Sequence, residues 1–162
     1  MRRLVLPVLL ALGLSGCGFA PLYGTPGVAS GLTTIQVSTP EGRVGALLRE
    51  HLDDALARNS ASPPTWRLTT ALGEQRYPRG IRIDNVATRY EYVLVVDYAL
   101  TAGAGAAKPA KTGKVRVEVT YDSADQPYAS IAAQQDAQDR ATGEAARRIQ
   151  LELATWLAKP GA

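Results

Sequence analysis

The stretch that decides the fold is Arg89-Tyr90-Glu91-Tyr92-Val93-Leu94-Val95-Val96-Asp97-Tyr98-Ala99-Leu100. Tyr90, Tyr92, Leu94, Val96, Tyr98 and Leu100 fall on one side at period two, and Val93, Val95 and Ala99 make the other side partly apolar. A run apolar on both sides predicts a strand in the middle of its sheet. Downstream, Val115, Val117, Val119 and Tyr121 alternate with Lys114, Arg116, Glu118 and Thr120, which predicts a strand with one buried and one solvated face. The Gly/Ala/Lys/Pro segment Ala102 to Gly113 between them reads as a flexible connection. Upstream, Trp66, Leu68, Thr70 and Leu72 alternate as another strand. Gly73 to Val86, polar and basic, fits either a long loop or the twisted ends of two strands.

Two helices flank these strands. Val44, Leu47, Leu48, Leu52, Ala55 and Leu56 recur at helical spacing, with Thr39 as the expected N-cap and Pro40 in the first turn. A longer helix is expected over Ala129 to Ala158, striped in its second half by Thr142, Ala145, Ile149, Leu153 and Trp156 and closed by Pro160. Leu151 lies opposite that stripe and offers a second contact face. The β-branched run Thr33 to Val37 adds a short first strand. The order β-α-β-β-β-α predicts an α+β, two-layer sandwich: a four-stranded sheet with both helices on one face and the other face open or covered by a partner.

The N-terminus reads differently. Arg2 and Arg3 precede an apolar run, Leu4 to Leu14, followed by Ser15, Gly16 and Cys17. A spanning helix needs roughly 20 apolar residues, so this run fits a secretory signal peptide. Leu14-Ser15-Gly16-Cys17 resembles the lipobox of bacterial lipoproteins, in which the cysteine is lipidated and becomes the first mature residue. The expected organisation is a removed signal peptide over residues 1–16, a lipidated extended tether over 17–31 and one domain over 32–162. Cys17 is the chain's one cysteine, so a lipidated product has no disulfide to lean on. Loss of Arg2 and Arg3 lowers the basic count from 18 to 16 against 15 acidic residues, taking the net charge from +3 to +1. That balance gives no reason to expect nucleic acid as a partner.

Little in the chain suggests catalysis. His51 is the one histidine and falls in an apolar helical stripe, which suits a half-buried structural role. Asp53, Asp54, Asp136 and Asp139 read as helix-surface charge. Gly103 and Gly105 lack the third glycine and the following helix of a dinucleotide turn. No metal, cofactor or catalytic residue is expected, apart from the covalent lipid on Cys17. The candidate ligand-binding residues are basic: Arg76, Arg79, Arg82 and Arg89 in or beside one connection, whose guanidinium forks suit phosphate groups. Lys108, Lys111 and Lys114 lie beside another. If the intervening strands form a hairpin, these are patches at opposite ends.

Cys17-Gly18-Phe19-Ala20-Pro21-Leu22-Tyr23-Gly24 resembles the mature start of alphaproteobacterial LptE lipoproteins. Ala87-Thr88-Arg89 is similar to that family's entry into its central strand, and Tyr128-Ala129-Ser130, Asp136-Ala137 and Arg140-Ala141 resemble the start of its long C-terminal helix. The resemblance implies a non-enzymatic outer-membrane lipoprotein facing the periplasm. It also implies a complex with the β-barrel LptD, whose lumen it plugs and whose assembly it assists, and binding of lipopolysaccharide. Gly18, where inner-membrane lipoproteins often carry aspartate, agrees with outer-membrane sorting. The competing expectations are an auxiliary lipoprotein of a lipid-transport ABC system and, on compartment alone, an envelope hydrolase.

Overall fold

The computed structural model describes residues 27–81, 83, 87–103, 108–123 and 126–159. Seven elements follow in order: α1 (Val28–Thr33), β1 (Ile35–Ser38), α2 (Arg43–Ala55), β2 (Trp66–Ile81), β3 (Ala87–Ala102), β4 (Lys111–Asp122) and α3 (Pro127–Leu157). The strands form one sheet in the order β1-β2-β3-β4. β1 runs parallel to β2, while β2–β3 and β3–β4 are antiparallel. This is the expected α+β sandwich, with an additional helix at its N-terminal end.

Side-chain alternation places the core. Leu68, Tyr92, Leu94, Val96, Tyr98, Leu100, Val115, Val117 and Tyr121 turn to one face of the sheet and are buried. Over them lie Leu48 and Leu52 of α2 and Ala141, Ala145, Ile149 and Leu153 of α3, each fully buried. Buried alanines at 137 and 141 explain why the first half of α3 shows no bulky stripe: small side chains let the helix sit close to the sheet and to α2. The opposite sheet face stays open, with Thr69, Gln75, Glu118 and Thr120 exposed along it.

Three local expectations are corrected, and one alternative left open is decided. Residues 28–31, read as tether, belong to α1, whose Val28 and Leu32 are buried and whose Gly31 lies against Leu157. Gly73 to Ile81 is strand, not loop, because β2 pairs with β3 from Trp66 as far as Ile81. The connection expected over 102–113 is shorter, since Thr112 and Gly113 already pair with Ala99 and Tyr98. α2 begins at Arg43 with Gly42 before it (φ 113°), and no side chain caps it. The reason is a close approach: a Cβ on Gly45 would stand 2.0 Å from the Pro40 carbonyl oxygen. The Thr39–Pro40 segment thus folds across the first turn of α2 instead of entering it.

The fold has two distinct ends. β1, the start of β2, the end of β3 and the C-terminus of α3 meet at a base, where Trp66 and Trp156 pack edge to face with ring centroids 5.3 Å apart. The chain enters the described structure at Gly27 on this side. At the other end the β2–β3 hairpin, the end of β4 and the start of α3 form a tip. Tyr77, Ile83, Tyr128 and Ile131 are exposed there.

Candidate functional site

Of the four arginines singled out in the sequence, Arg76, Arg79 and Arg89 belong to the tip, but the strand pleat separates them. Arg76 points to the helix side. Its guanidinium lies 4.9 Å from the centroid of the Tyr90 ring and donates to Gln134 of α3 at 2.9 Å. Tyr90 in turn stacks on Tyr121, centroids 5.6 Å apart. Arg79 and Arg89 point to the open face and are direct partners in the β2–β3 ladder. Two guanidinium groups placed opposite one another would repel, and each is held by its own carboxylate. Arg79 pairs with Glu91 (2.6 Å) and Arg89 with Asp122 (2.8 Å). The hydrogen bond and charge of Asp122 raise the Arg89 pKa further above its ordinary value. Arg82 lies outside the described residues, as does Cys17. The tip therefore offers an open-face pair of paired arginines and a separate Arg76–Tyr90 platform on the helix side, not a single cluster.

The lysines lie at the base, as the hairpin geometry requires. Lys114 pairs with Asp97 across β3–β4 at 3.1 Å. Beside that pair the open face dips into a depression of 580 Å³ whose floor includes Thr69, Ala71, Ala99 and Thr112. Such short side chains leave room for another protein's side chains to interdigitate.

His51 is half-buried between α2 and α3, and its Nε2 is 2.9 Å from Asp139 Oδ1. The aspartate expected to face solvent or a polar partner thus ties the helix pair together. Asp136 pairs with Arg140 (2.8 Å) along the surface of α3. Asp54 is exposed, while one buried oxygen of Asp53 has no hydrogen-bond partner among the described residues.

Sequence reasoning missed two polar links beneath α3. The Tyr92 hydroxyl donates to Glu74 at 2.7 Å, and Gln138 of α3 donates to the same carboxylate at 3.3 Å. The Tyr98 hydroxyl donates to Glu152. Burial, reinforced by the neighbouring carboxylate, raises both phenol pKa values well above their usual range. The signal was present but ambiguous: an aromatic at an inward strand position reads as core, and nothing local says that its hydroxyl needs a partner.

Among the described residues no group of three or more His, Cys, Asp or Glu side chains could hold a metal, and no helix is long and apolar enough to cross a membrane.

Comparison with known proteins places this arrangement. A family model described as LptE, lipopolysaccharide-assembly, matches residues 32–153. A crystal structure of a candidate lipoprotein from Caulobacter crescentus CB15 is 55% identical, with a TM-score of 0.71 over 83% of this chain and 99% of that one. The rare lipoprotein B of Shewanella oneidensis superposes with a TM-score of 0.56 at 17% identity, over 76% of this chain and 93% of that one. Lipoprotein B of Nitrosomonas europaea gives 0.54 at 14% identity, over 75% and 82%. The last two likenesses establish the fold alone. No curated protein matches the chain in sequence.

Proposed function

The chain belongs to the LptE lipopolysaccharide-assembly family, and from that premise we propose that it is the lipoprotein subunit of the complex that delivers lipopolysaccharide to the cell surface. In this reading residues 1–16 are removed, lipid on Cys17 anchors the chain in the outer membrane, and the domain faces the periplasm. It acts without catalysis, as a plug in the lumen of an LptD-type β-barrel and an aid to that barrel's assembly. The observation that carries the reading is the family match over residues 32–153, nearly the whole domain. The open sheet face supports it. Exposed threonines and charged side chains surround the Thr69–Ala71–Ala99–Thr112 depression on that face, and such polar groups suit a barrel lumen, which is itself polar.

Lipopolysaccharide binding is assigned to the tip. Lipid A joins phosphate groups to acyl chains, and the tip joins Arg76, Arg79 and Arg89 to exposed Tyr77, Ile83, Tyr128 and Ile131. Arg82, in the same hairpin, belongs to this assignment by sequence. Glu91 and Asp122 occupy Arg79 and Arg89 in the free chain, so a phosphate would have to exchange with a carboxylate. The Arg89–Asp122 pair is largely exposed, and such pairs are worth about 1 kcal/mol or less, which keeps the exchange there inexpensive, whereas Glu91 is only 17% exposed and holds Arg79 more firmly.

The first test is a mild-detergent pull-down of the tagged full chain from envelope membranes. The expected result is a stoichiometric outer-membrane β-barrel. Recovery of an inner-membrane ABC transporter with no barrel would instead establish the auxiliary-subunit function. For the tip, charge reversal at Arg76, Arg79, Arg82 or Arg89 is expected to weaken lipopolysaccharide binding more than reversal at Arg43 or Arg58. Equal losses at all six positions would reduce the contact to nonspecific attraction.

A further inference from the structure

β4 ends the sheet, and its outer edge offers twelve residues of backbone with no strand beyond it among the described residues. Odd-numbered residues face inward, as the bond from Ser123 N to the Thr88 carbonyl indicates, so even-numbered residues present their N–H and C=O groups outward. A long edge of this kind is a template for strand addition. The sheet's other long edge, β2 beyond its pairing with β1, carries Pro78, which cannot donate to an added strand. β4 carries no proline.

What lies along it instead is a stripe on α3 in which charged residues recur every fourth position: Asp136, Arg140, Glu144, Arg148. Arg140 Nη2 donates to the Thr120 carbonyl at 3.3 Å, and Arg148 Nη1 donates to the Arg116 carbonyl at 3.0 Å. Each arginine is held from the preceding turn by a carboxylate: Asp136 at 2.8 Å and Glu144 at 2.7 Å. The spacing has a metric basis. Eight helical residues rise about 12 Å, and four strand residues span about 13 Å, so one repeat along α3 matches one along β4.

We propose that this stripe is a guard that closes the β4 edge to strand addition. The two guanidinium groups occupy carbonyls that an incoming strand would need, and the carboxylates keep those groups from swinging into solvent. For a protein that works against a barrel whose strands are not yet all paired, an open edge would be captured. That consequence rests on the function proposed above, whereas the guard itself stands on β4 and α3 alone and is tested without the barrel.

The test uses the full chain in mild detergent carrying Arg140→Ala and Arg148→Ala. Alanine favours the helix, and circular dichroism checks the fold. Sedimentation analysis over a concentration series is expected to show dimerisation at least tenfold tighter than in the parent chain. Adding Glu118→Pro, whose lost N–H points outward and leaves the β3–β4 ladder intact, is expected to abolish it. A folded double variant that stays as monomeric as the parent overturns the proposal, as does association that survives Glu118→Pro. Should the double variant not fold, Asp136→Asn with Glu144→Gln releases the arginines without removing them. That pair is then expected to dimerise measurably in the same assay, and failure to do so overturns the guard equally.

Discussion

At Gly113 the inward face of β4 has no side chain, and the Tyr98 ring lies in the space that one would fill. A Cβ there would fall 2.4 Å from both the Tyr98 hydroxyl oxygen and the ring carbon that bears it. Tyr98 cannot yield freely, because it is buried and its hydroxyl is held by Glu152. Gly113→Ala is therefore expected to cost about 1–3 kcal/mol, the usual range for overpacking, measurable by urea denaturation. An unchanged midpoint would mean that the ring has another place to go. Tyr98 and Tyr92 also carry a pH dependence. Burial raises both phenol pKa values in the folded state, so the stability they contribute is fully present below the unfolded value near 10 and is lost as pH rises beyond it. Alkaline titration followed by tyrosinate absorbance is expected to leave Tyr92 and Tyr98 unionised until the chain unfolds. Ionisation of Tyr92 and Tyr98 in the still-folded chain would contradict the buried assignments.

At the level of elements, what the sequence disclosed depended on whether an element buries a face along its whole length. β3 and β4 do, and their alternation was plain. The upper half of β2 does not. From Gly73 to Ile81 it pairs with β3 beyond the reach of β1, so it carries glycine, arginine and Pro78 with no apolar period. Proline argues against a central strand, yet here the strand is an edge and the objection lapses. The start of α2 was misplaced because a cap motif is local, whereas the fold of Pro40 over Gly45 is a tertiary contact. Of the grouped arginines, Arg76, Arg79 and Arg89 lie at one end of the described structure. Their division between two faces follows from the strand pleat, which could not be applied while Gly73 to Val86 read equally as loop. His51 was legible as structural, but its partner, 88 residues away, was not. Loss of the interhelical bond in His51→Ala is expected to cost about 0.5–1.5 kcal/mol. Asp139→Ala should cost a similar amount, and the double variant less than the sum, as coupled partners require. Strict additivity in a double-mutant cycle would mean that the pair is not a bond in solution.

For the whole molecule the two ends imply an orientation. β2 is 16 residues long, and at about 3.3 Å per residue the hairpin tip stands some 50 Å from the base. The chain enters at Gly27 beside Leu157 and the Trp66–Trp156 pair. With lipid on Cys17, as proposed, the ten residues 17–26 reach at most about 35 Å. A tether that short keeps the base nearer the bilayer than the tip and presents the arginines of the hairpin away from the leaflet that holds the anchor. Such a disposition suits a subunit that meets its ligand inside a partner rather than in its own membrane. Because the lipidated chain has no free thiol, single cysteines placed at Ile83 and Lys159 can carry a donor dye, with acceptor-labelled lipid in the vesicle that holds the anchored protein. Energy transfer is expected to be strong from position 159 and weak from position 83. Equal transfer would mean that the domain lies flat, with the tip against the bilayer. The lipopolysaccharide assignment would then pass from a site exposed to a partner to one exposed to the membrane surface.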